Sequence, residues 1–231
     1  MKTILASIIA VIIIGGGLFL YQTRPTAAPT TDINTEVEHL DTTDATAGTT
    51  DTTAIKTLRI VGAESKATFS LNEVLNGTPT LVVGTTSQVA GDIQISATAP
   101  AKLTIGEIKI DARTLKTDNE RRNGALGRLI LKSDQTGNEY ITFKTTAITG
   151  LPDTIETDKA FSYTIAGDMT VRGVTKPVTF KTTNTFKADG SFVGSADTTI
   201  AYADFGISIP DLSFLANVDK TTKLSISIVA K

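Results

Sequence analysis

The chain has 231 residues, enough for one β domain of ordinary size plus an accessory segment. Its 22 basic and 24 acidic residues leave a net charge of −2, and it has no Trp and only 6% aromatics, so no basic face with interleaved stacking residues points to nucleic acid. The absence of Cys removes disulfide frameworks, thiolate nucleophiles and Cys-bound metals, and lipoprotein anchoring with them.

From Thr3 to Thr23 no charged residue occurs, and Ile4 to Tyr21 is almost wholly apolar. As a helix this run reaches ~27 Å at roughly 1.5 Å per residue, close to the hydrocarbon thickness of a bilayer. It exceeds the usual signal-peptide core, and the nearest small-residue sites, around Ala27 and Ala28, lie beyond Arg24 and Pro25. Residues 1–23 are therefore expected to form an N-terminal transmembrane helix, an anchor or uncleaved signal, with a cleaved signal peptide as the alternative. Gly15-Gly16-Gly17 and the Ala6/Ala10 pair offer a small-residue surface for helix pairing, a weak basis for a homodimer.

Residues 24–55 turn to Thr, Ala, Pro and Asp with hardly any apolar periodicity, the profile of a disordered linker. Six carboxylates (Asp32, Glu36, Glu38, Asp41, Asp44, Asp51) sit here. With those and the basic Lys2 and Arg24 set apart, the chain from Ala54 onward carries 20 basic and 18 acidic residues, a near-neutral surface. His39, the one histidine of the chain, falls in the linker.

Residues 56–231 read as one β domain. Ala67, Phe69 and Leu71 alternate with polar neighbours, and Asn76-Gly77 supplies a turn pair that tolerates positive φ. Asn76-Gly77-Thr78 is also a glycosylation sequon, although the turn already accounts for these residues. Leu81-Val82-Val83-Gly84, Ile93–Ala97, Leu103–Ile105 and Ile108–Ile110 extend the strands, with a bulge or bend at Gly106. From Asp118 to Leu131 the period changes. Leu126, Leu129 and Ile130 recur at helical spacing, and Asp118 or Asn119 stands ready to cap one short helix.

After Ile141 and Phe143 comes the longest run: Phe161, Tyr163 and Ile165 alternate with polar residues, and the register continues through Met169 and Val171. Arg172–Pro177 interrupts it, and Val178-Thr179-Phe180 resumes the alternation, which predicts a hairpin. Phe192/Val193, Ile200/Tyr202 and Leu224/Ile226/Ile228 close the series. About eight strands and one helix with short connections fit an antiparallel sheet, and pattern alone leaves sandwich and barrel both open.

The wording of the hairpin is more specific. Gly167-Asp-Met-Thr-Val-Arg-Gly-Val-Thr-Lys-Pro-Val-Thr-Phe180 resembles the signature hairpin of the YceI family, lipocalin-like proteins that bind polyisoprenoid lipids. Glu64–Phe69, Ile108–Asp111, Leu115–Asn119 with Arg122-Asn123, Glu139–Phe143 and Ala203–Ile207 resemble other blocks of that family in the same order, so the resemblance spans residues 58 to 231. Two departures stand out. Ile130–Asn138 replaces the family's aromatic-rich, Pro-containing segment, and the histidine usual near the first strand is missing.

The resemblance implies an all-β, antiparallel eight-stranded lipocalin-like barrel with one short helix, preceded by the transmembrane helix and the linker. It also implies an apolar lipid as ligand, a polyisoprenoid chain or isoprenoid quinone, and no other cofactor. A barrel of that size either packs its interior or holds one apolar molecule. Under the second outcome the lining candidates are Phe69, Leu71, Ile93, Ile95, Ile108, Ile110, Phe143, Phe161, Tyr163, Ile165, Met169 and Val171, all apolar members of alternating strands. Arg172 and Lys176 are candidates to meet a head group, with simple solvation as the plainer reading.

Catalytic chemistry finds little support. No His lies inside the domain and no Cys anywhere, which excludes His-based triads and zinc sites there. Asp111, Asp118 and Glu120 read as strand-end and capping carboxylates, and Asp204-Phe205-Gly206 has none of the partners of a kinase motif. The expectation is a non-enzymatic lipid binder, single-pass in the membrane, with the acidic linker and the resemblance placing its C-terminal domain outside the cytoplasm, in the periplasm or at the cell surface. The alternative is a stalk-displayed β domain with a filled core that contacts protein or envelope.

Overall fold

The computed structural model describes residues 32–40, 55–98, 101–209 and 215–231. The apolar segment expected to anchor the chain lies outside these residues. Among the described residues no helix is long and apolar enough to cross a membrane.

Alternation in the sequence becomes a curled antiparallel sheet. Its strands are β2 (Lys66–Leu75), β3 (Thr78–Thr86), β4 (Val89–Ala90), β7 (Ile108–Asp111), β8 (Tyr140–Thr149), β9 (Ala160–Val171), β10 (Val174–Phe186), β11 (Phe192–Ala201), β12 (Leu215–Ala216) and β13 (Thr221–Ala230). They run in the order β12-β2-β13-β11-β10-β9-β8-β7-β4, with β3 added on the far side of β2. β3 and β4 follow each other with only Ser87 and Gln88 between them, so the end of the path returns to its start. Backbone bonds between Thr85 and Lys116, and from Asp111 N–H to the Gln88 carbonyl, draw that seam together into a nearly closed barrel. Closure removes the exposed edges that make open sheets aggregate.

Two of the expected barrel strands are elsewhere. β5 (Asp92–Ser96) and β6 (Lys102–Ile105) pair with β1 (Lys56–Arg59) in a separate three-stranded sheet. Among the described residues the sheet of the barrel therefore has ten strands, not eight, and Ile93 and Ile95 do not belong to it. The departure happens at Gly91, whose φ of 154° and contact with the Glu107 carbonyl leave no room for a side chain. The chain returns at Gly106, where the sequence predicted a bend; its N–H donates to the Asp92 carbonyl at 2.9 Å. Past Arg59 the chain bonds to Val229 and Lys231 beside the end of β13, so the small sheet lies across one end of the barrel.

The hairpin of β9 and β10 is paired without a break from Val171↔Val174 to Ala160↔Thr185. Its turn is shorter than the expected interruption: only Arg172 and Gly173, at φ 53° and 71°, lie outside the strands. Lys176 and Pro177 sit within β10. Proline is tolerated there because β11 pairs only with Lys181–Phe186, so at Pro177 β10 has a strand on one side alone. Asn76-Gly77 forms the equivalent turn between β2 and β3, with both residues at positive φ.

The helix is present but brief. α1 (Glu120–Ala125) is capped by the Asn119 side chain, which accepts from the Arg121 and Arg122 N–H groups, and Leu126–Ile130 continues it as one π turn. Part of the expected linker is also ordered. Asp32 caps a 3-10 turn at Ile33–Glu36, which buries Ile33 and Val37 against Ala90. The His39 Nδ1 lies 2.9 Å from the Asp92 carboxylate, which also accepts from the Leu40 N–H. Residues 32–40 thus pack on the domain, contrary to a free spacer, because two apolar side chains and one buried carboxylate give them something to hold.

Candidate functional site

Two apolar cores occupy the two ends of the barrel. At the end covered by the small sheet, Leu58, Ile60, Ala67, Ile93, Ile95, Phe192 and Ala230 are buried together. At the other end Ala112, Leu115, Leu131, Met169, Val171, Val178, Phe205 and Ile207 form the second core, flanked by Leu126 and Ile130 of the helical segment. Between and beside them runs a cavity of about 350 Å³. That volume is within the roughly 300–1,000 Å³ usual for small-molecule sites.

Strand alternation determines which side chains reach it. Of the twelve candidates, Phe69, Leu71, Ile93, Ile108, Ile110, Phe143, Tyr163, Ile165, Met169 and Val171 line the cavity. Ile95 and Phe161 do not. Ile95 is spent in the closed-end core, on the strand that left the barrel. Phe161 packs against the same core, stacked on Tyr163 with ring centroids 5.6 Å apart and 6.2 Å from Phe192. Midway along the cavity Phe143 and Phe180 meet edge to face at 5.1 Å.

Several lining residues escaped the sequence reading. Leu126, Leu129 and Ile130 face the cavity from the π turn that follows α1, and Leu129 is 59% exposed, so the cavity wall reaches solvent at the end covered by this helical segment. Their three- and four-residue spacing was visible, but not what the helix covers. On β10, Phe180, Thr182 and Asn184 share the inward face with Val178, and polar residues at inward positions break the apolar alternation that a sequence reading follows.

The charged residues at the open end are already engaged. Arg122 Nη2 donates to Glu73 at 3.1 Å and Nη1 to Asp118 at 2.7 Å; Glu73 and Arg122 both border the cavity. Asp111 accepts from Arg113 through its N–H, Nε and Nη2 at 2.8–2.9 Å and caps a 3-10 turn. That bond holds the Arg113 guanidinium above its ordinary pKa. Asp118 and Glu120 are exposed beside α1, so the three carboxylates do not converge. Arg172 ties the hairpin turn to the helical segment by donating to the Ile130 carbonyl at 2.8 Å, and Lys176 is exposed on β10. Neither borders the cavity. Among the described residues no cluster of carboxylate or imidazole groups is arranged to hold a metal.

The closed end is different. Thr182 Oγ1 donates to the Tyr163 carbonyl at 2.6 Å, and burial pushes the Tyr163 phenol well above its ordinary pKa, leaving it a neutral hydroxyl. The site as a whole is a blind apolar sleeve, walled by aromatic and branched aliphatic side chains. It can hold hydrocarbon by exclusion of water but has no assembled nucleophile, base or metal site among the described residues.

Two solved structures share the fold. BcnA of Burkholderia cenocepacia is 16% identical with a TM-score of 0.57, over 74% of this chain and 99% of that one. A polyisoprenoid binding domain from Saccharophagus degradans is 12% identical with a TM-score of 0.58, over 77% of this chain and 99% of that one. No curated protein matches the chain in sequence. The profile of the YceI-like domain matches residues 58–230, from β1 through the last residue of β13. With the barrel, the cavity and the signature hairpin all inside that span, the chain belongs to the YceI-like domain family.

Proposed function

We propose that this protein holds a polyisoprenoid-type chain, an isoprenoid quinone or an isoprenyl carrier, inside its barrel and performs no chemistry on it. The cavity carries the reading: about 350 Å³ of space bounded mostly by apolar side chains, with the exposed Leu129 on its wall in the turn after α1. Family membership and a polyisoprenoid-binding structural neighbour support it. The same space weighs against a filled core built only for contact. At ~0.8 kcal/mol per buried CH₂, each five-carbon unit contributes on the order of 3–4 kcal/mol before the cost of immobilisation, so a few units are retained without polar contacts.

In this reading residues 1–23 tether the barrel to a membrane, with the domain on the extracytoplasmic side. The length and apolarity of that segment support the tether.

The test is native mass spectrometry of the full chain purified from membrane-containing cells, followed by organic extraction. A prenyl lipid should travel with the protein and be lost from an Ile165→Glu variant that remains folded. An apo mass that does not change on incubation with quinones and isoprenyl phosphates would sink the lipid reading. Deletion of residues 1–23 should move the protein from the membrane to the soluble fraction; unchanged fractionation would remove the tether.

A further inference from the structure

One polar atom in the cavity wall has no partner within the described residues of the barrel. Asn184 is 3% exposed, yet its Oδ1 has no hydrogen-bond partner among the described residues. Other buried polar side chains along the cavity are satisfied: Thr182 donates to the Tyr163 carbonyl and Thr222 to the Ser70 carbonyl. Buried carboxamide oxygens are ordinarily paired, so an unpaired one on a cavity wall points to a donor that comes from outside the chain.

The place is shaped for that side chain. Asn184 pairs with Gly194 across β11, and a Cβ on Gly194 would stand 2.4 Å from Asn184 Nδ2, so any other residue at 194 would displace the carboxamide. Tyr163, one diagonal step away on β9, points into the same end of the cavity beside Phe192. Ionic groups are remote. The only charged side chains bordering the cavity among the described residues are Glu73 and Arg122. Glu73 lies six residues along β2 from Ala67 of the closed-end core, roughly 20 Å at ~3.3 Å per residue.

We propose that the closed end of the cavity is a subsite for an uncharged hydroxyl terminus of the apolar ligand, its O–H donating to the Asn184 Oδ1. The ligand then enters polar end first, with its hydrocarbon trailing toward α1. This rests on the lipid-binding reading and narrows it. A phosphate or diphosphate at this end would bring charge into a region without a cation, at a desolvation cost nothing there offsets. An isoprenoid alcohol brings none, and its hydroxyl supplies the donor that Oδ1 lacks.

The experiment offers the full chain, held in amphipathic polymer, an equimolar mixture of geranylgeraniol, geranylgeranyl phosphate and the hydrocarbon of the same skeleton, and reads occupancy by native mass spectrometry. The alcohol should exceed both others by about tenfold, or ~1.4 kcal/mol, and an Asn184→Leu variant should bind alcohol and hydrocarbon to within about twofold of each other. Equal binding of alcohol and hydrocarbon by the unaltered protein, or a preference for the phosphate, overturns the subsite while leaving lipid binding intact. Binding of none of the three overturns both. Should Asn184→Leu fail to fold, the unaltered protein decides the matter through a photoreactive diazirine placed at the hydroxyl end of the alcohol. Labelling of β9 and β10 near Tyr163 and Asn184 supports the subsite, and labelling of α1 or of β2 near Glu73 refutes it.

Discussion

Gly84 offers a way to narrow the cavity without replacing any side chain that lines it. On the inward face of β3, Gly84 pairs with Phe69 of β2, and the Phe69 ring lies directly over it. A Cβ at position 84 would stand 2.1 Å and 2.4 Å from two ring carbons. Real Cβ contacts below 3.0 Å essentially never occur, so in Gly84→Ala the ring has to move by at least about an ångström. The ring borders the cavity, and the cavity is the space available to receive it. Overpacking a filled core costs ~1–3 kcal/mol, whereas Gly→Ala at an ordinary strand φ returns ~0.4–1 kcal/mol through the unfolded chain. With a hollow interior the net stability change should stay within about 1 kcal/mol, read by denaturant unfolding of the apo protein. Affinity for a fluorescent isoprenoid should fall by about tenfold or more as the ring takes up binding space. A variant destabilised by about 2 kcal/mol or more would show that the interior is packed rather than hollow. One that binds as well as the unaltered protein would show that Phe69 does not border the ligand.

Three further outcomes are expected. Arg122→Met leaves the Glu73 carboxylate largely buried without its partner; because Arg122 is itself one-fifth exposed, the loss should be about 1–3 kcal/mol, and adding Glu73→Leu should recover most of it in a double-mutant cycle. The Asn72 N–H, and after it the Asn72 side-chain amide, hold the exposed Asp219 carboxyl below its ordinary pKa. The stability this tie contributes is present above the carboxylate's ordinary value and is lost as pH falls through its lowered one. Asp219→Asn should therefore lower the Tm at neutral pH and flatten its decline on acidification, and a parallel decline would rule the tie out. Replacing His39 with Leu removes one of three contacts on the buried Asp92 carboxylate, the others being the Leu40 N–H and Arg59, so hydrogen exchange of the Leu40 amide should quicken while the amides of β9 and β10 stay protected. Unchanged exchange at Leu40 would mean that apolar packing of Ile33 and Val37 alone holds residues 32–40.

Much of the barrel is legible along the chain because strand alternation is a local property: a side chain two residues from an inward one is inward too. Tyr163, Ile165, Met169 and Val171 follow one another into the cavity on that rule, Asn76-Gly77 announces its turn by tolerating positive φ, and Gly173 marks the second turn within the longer interruption expected over Arg172–Pro177. The ordered blocks from Glu64 to Ile207 carry the family likewise, since each is a run of neighbours in sequence.

What the tertiary structure alone decides depends on pairings between distant segments. β5 alternates like any barrel strand, and only its pairing with β1, more than thirty residues earlier, takes Ile95 out of the barrel and into the closed-end core. The docking of His39 on Asp92 joins residues 53 apart, so no local composition of residues 24–55 foretells it. Hollowness is of the same kind. The apolar residues that fill a core and those that border a cavity are identical as sequence, and which they do depends on how far apart the barrel walls stand, a distance set by strand number and pairing. Asn184 is a polar residue in the alternation of β10; on the cavity wall its buried Oδ1 stands without a partner among the described residues.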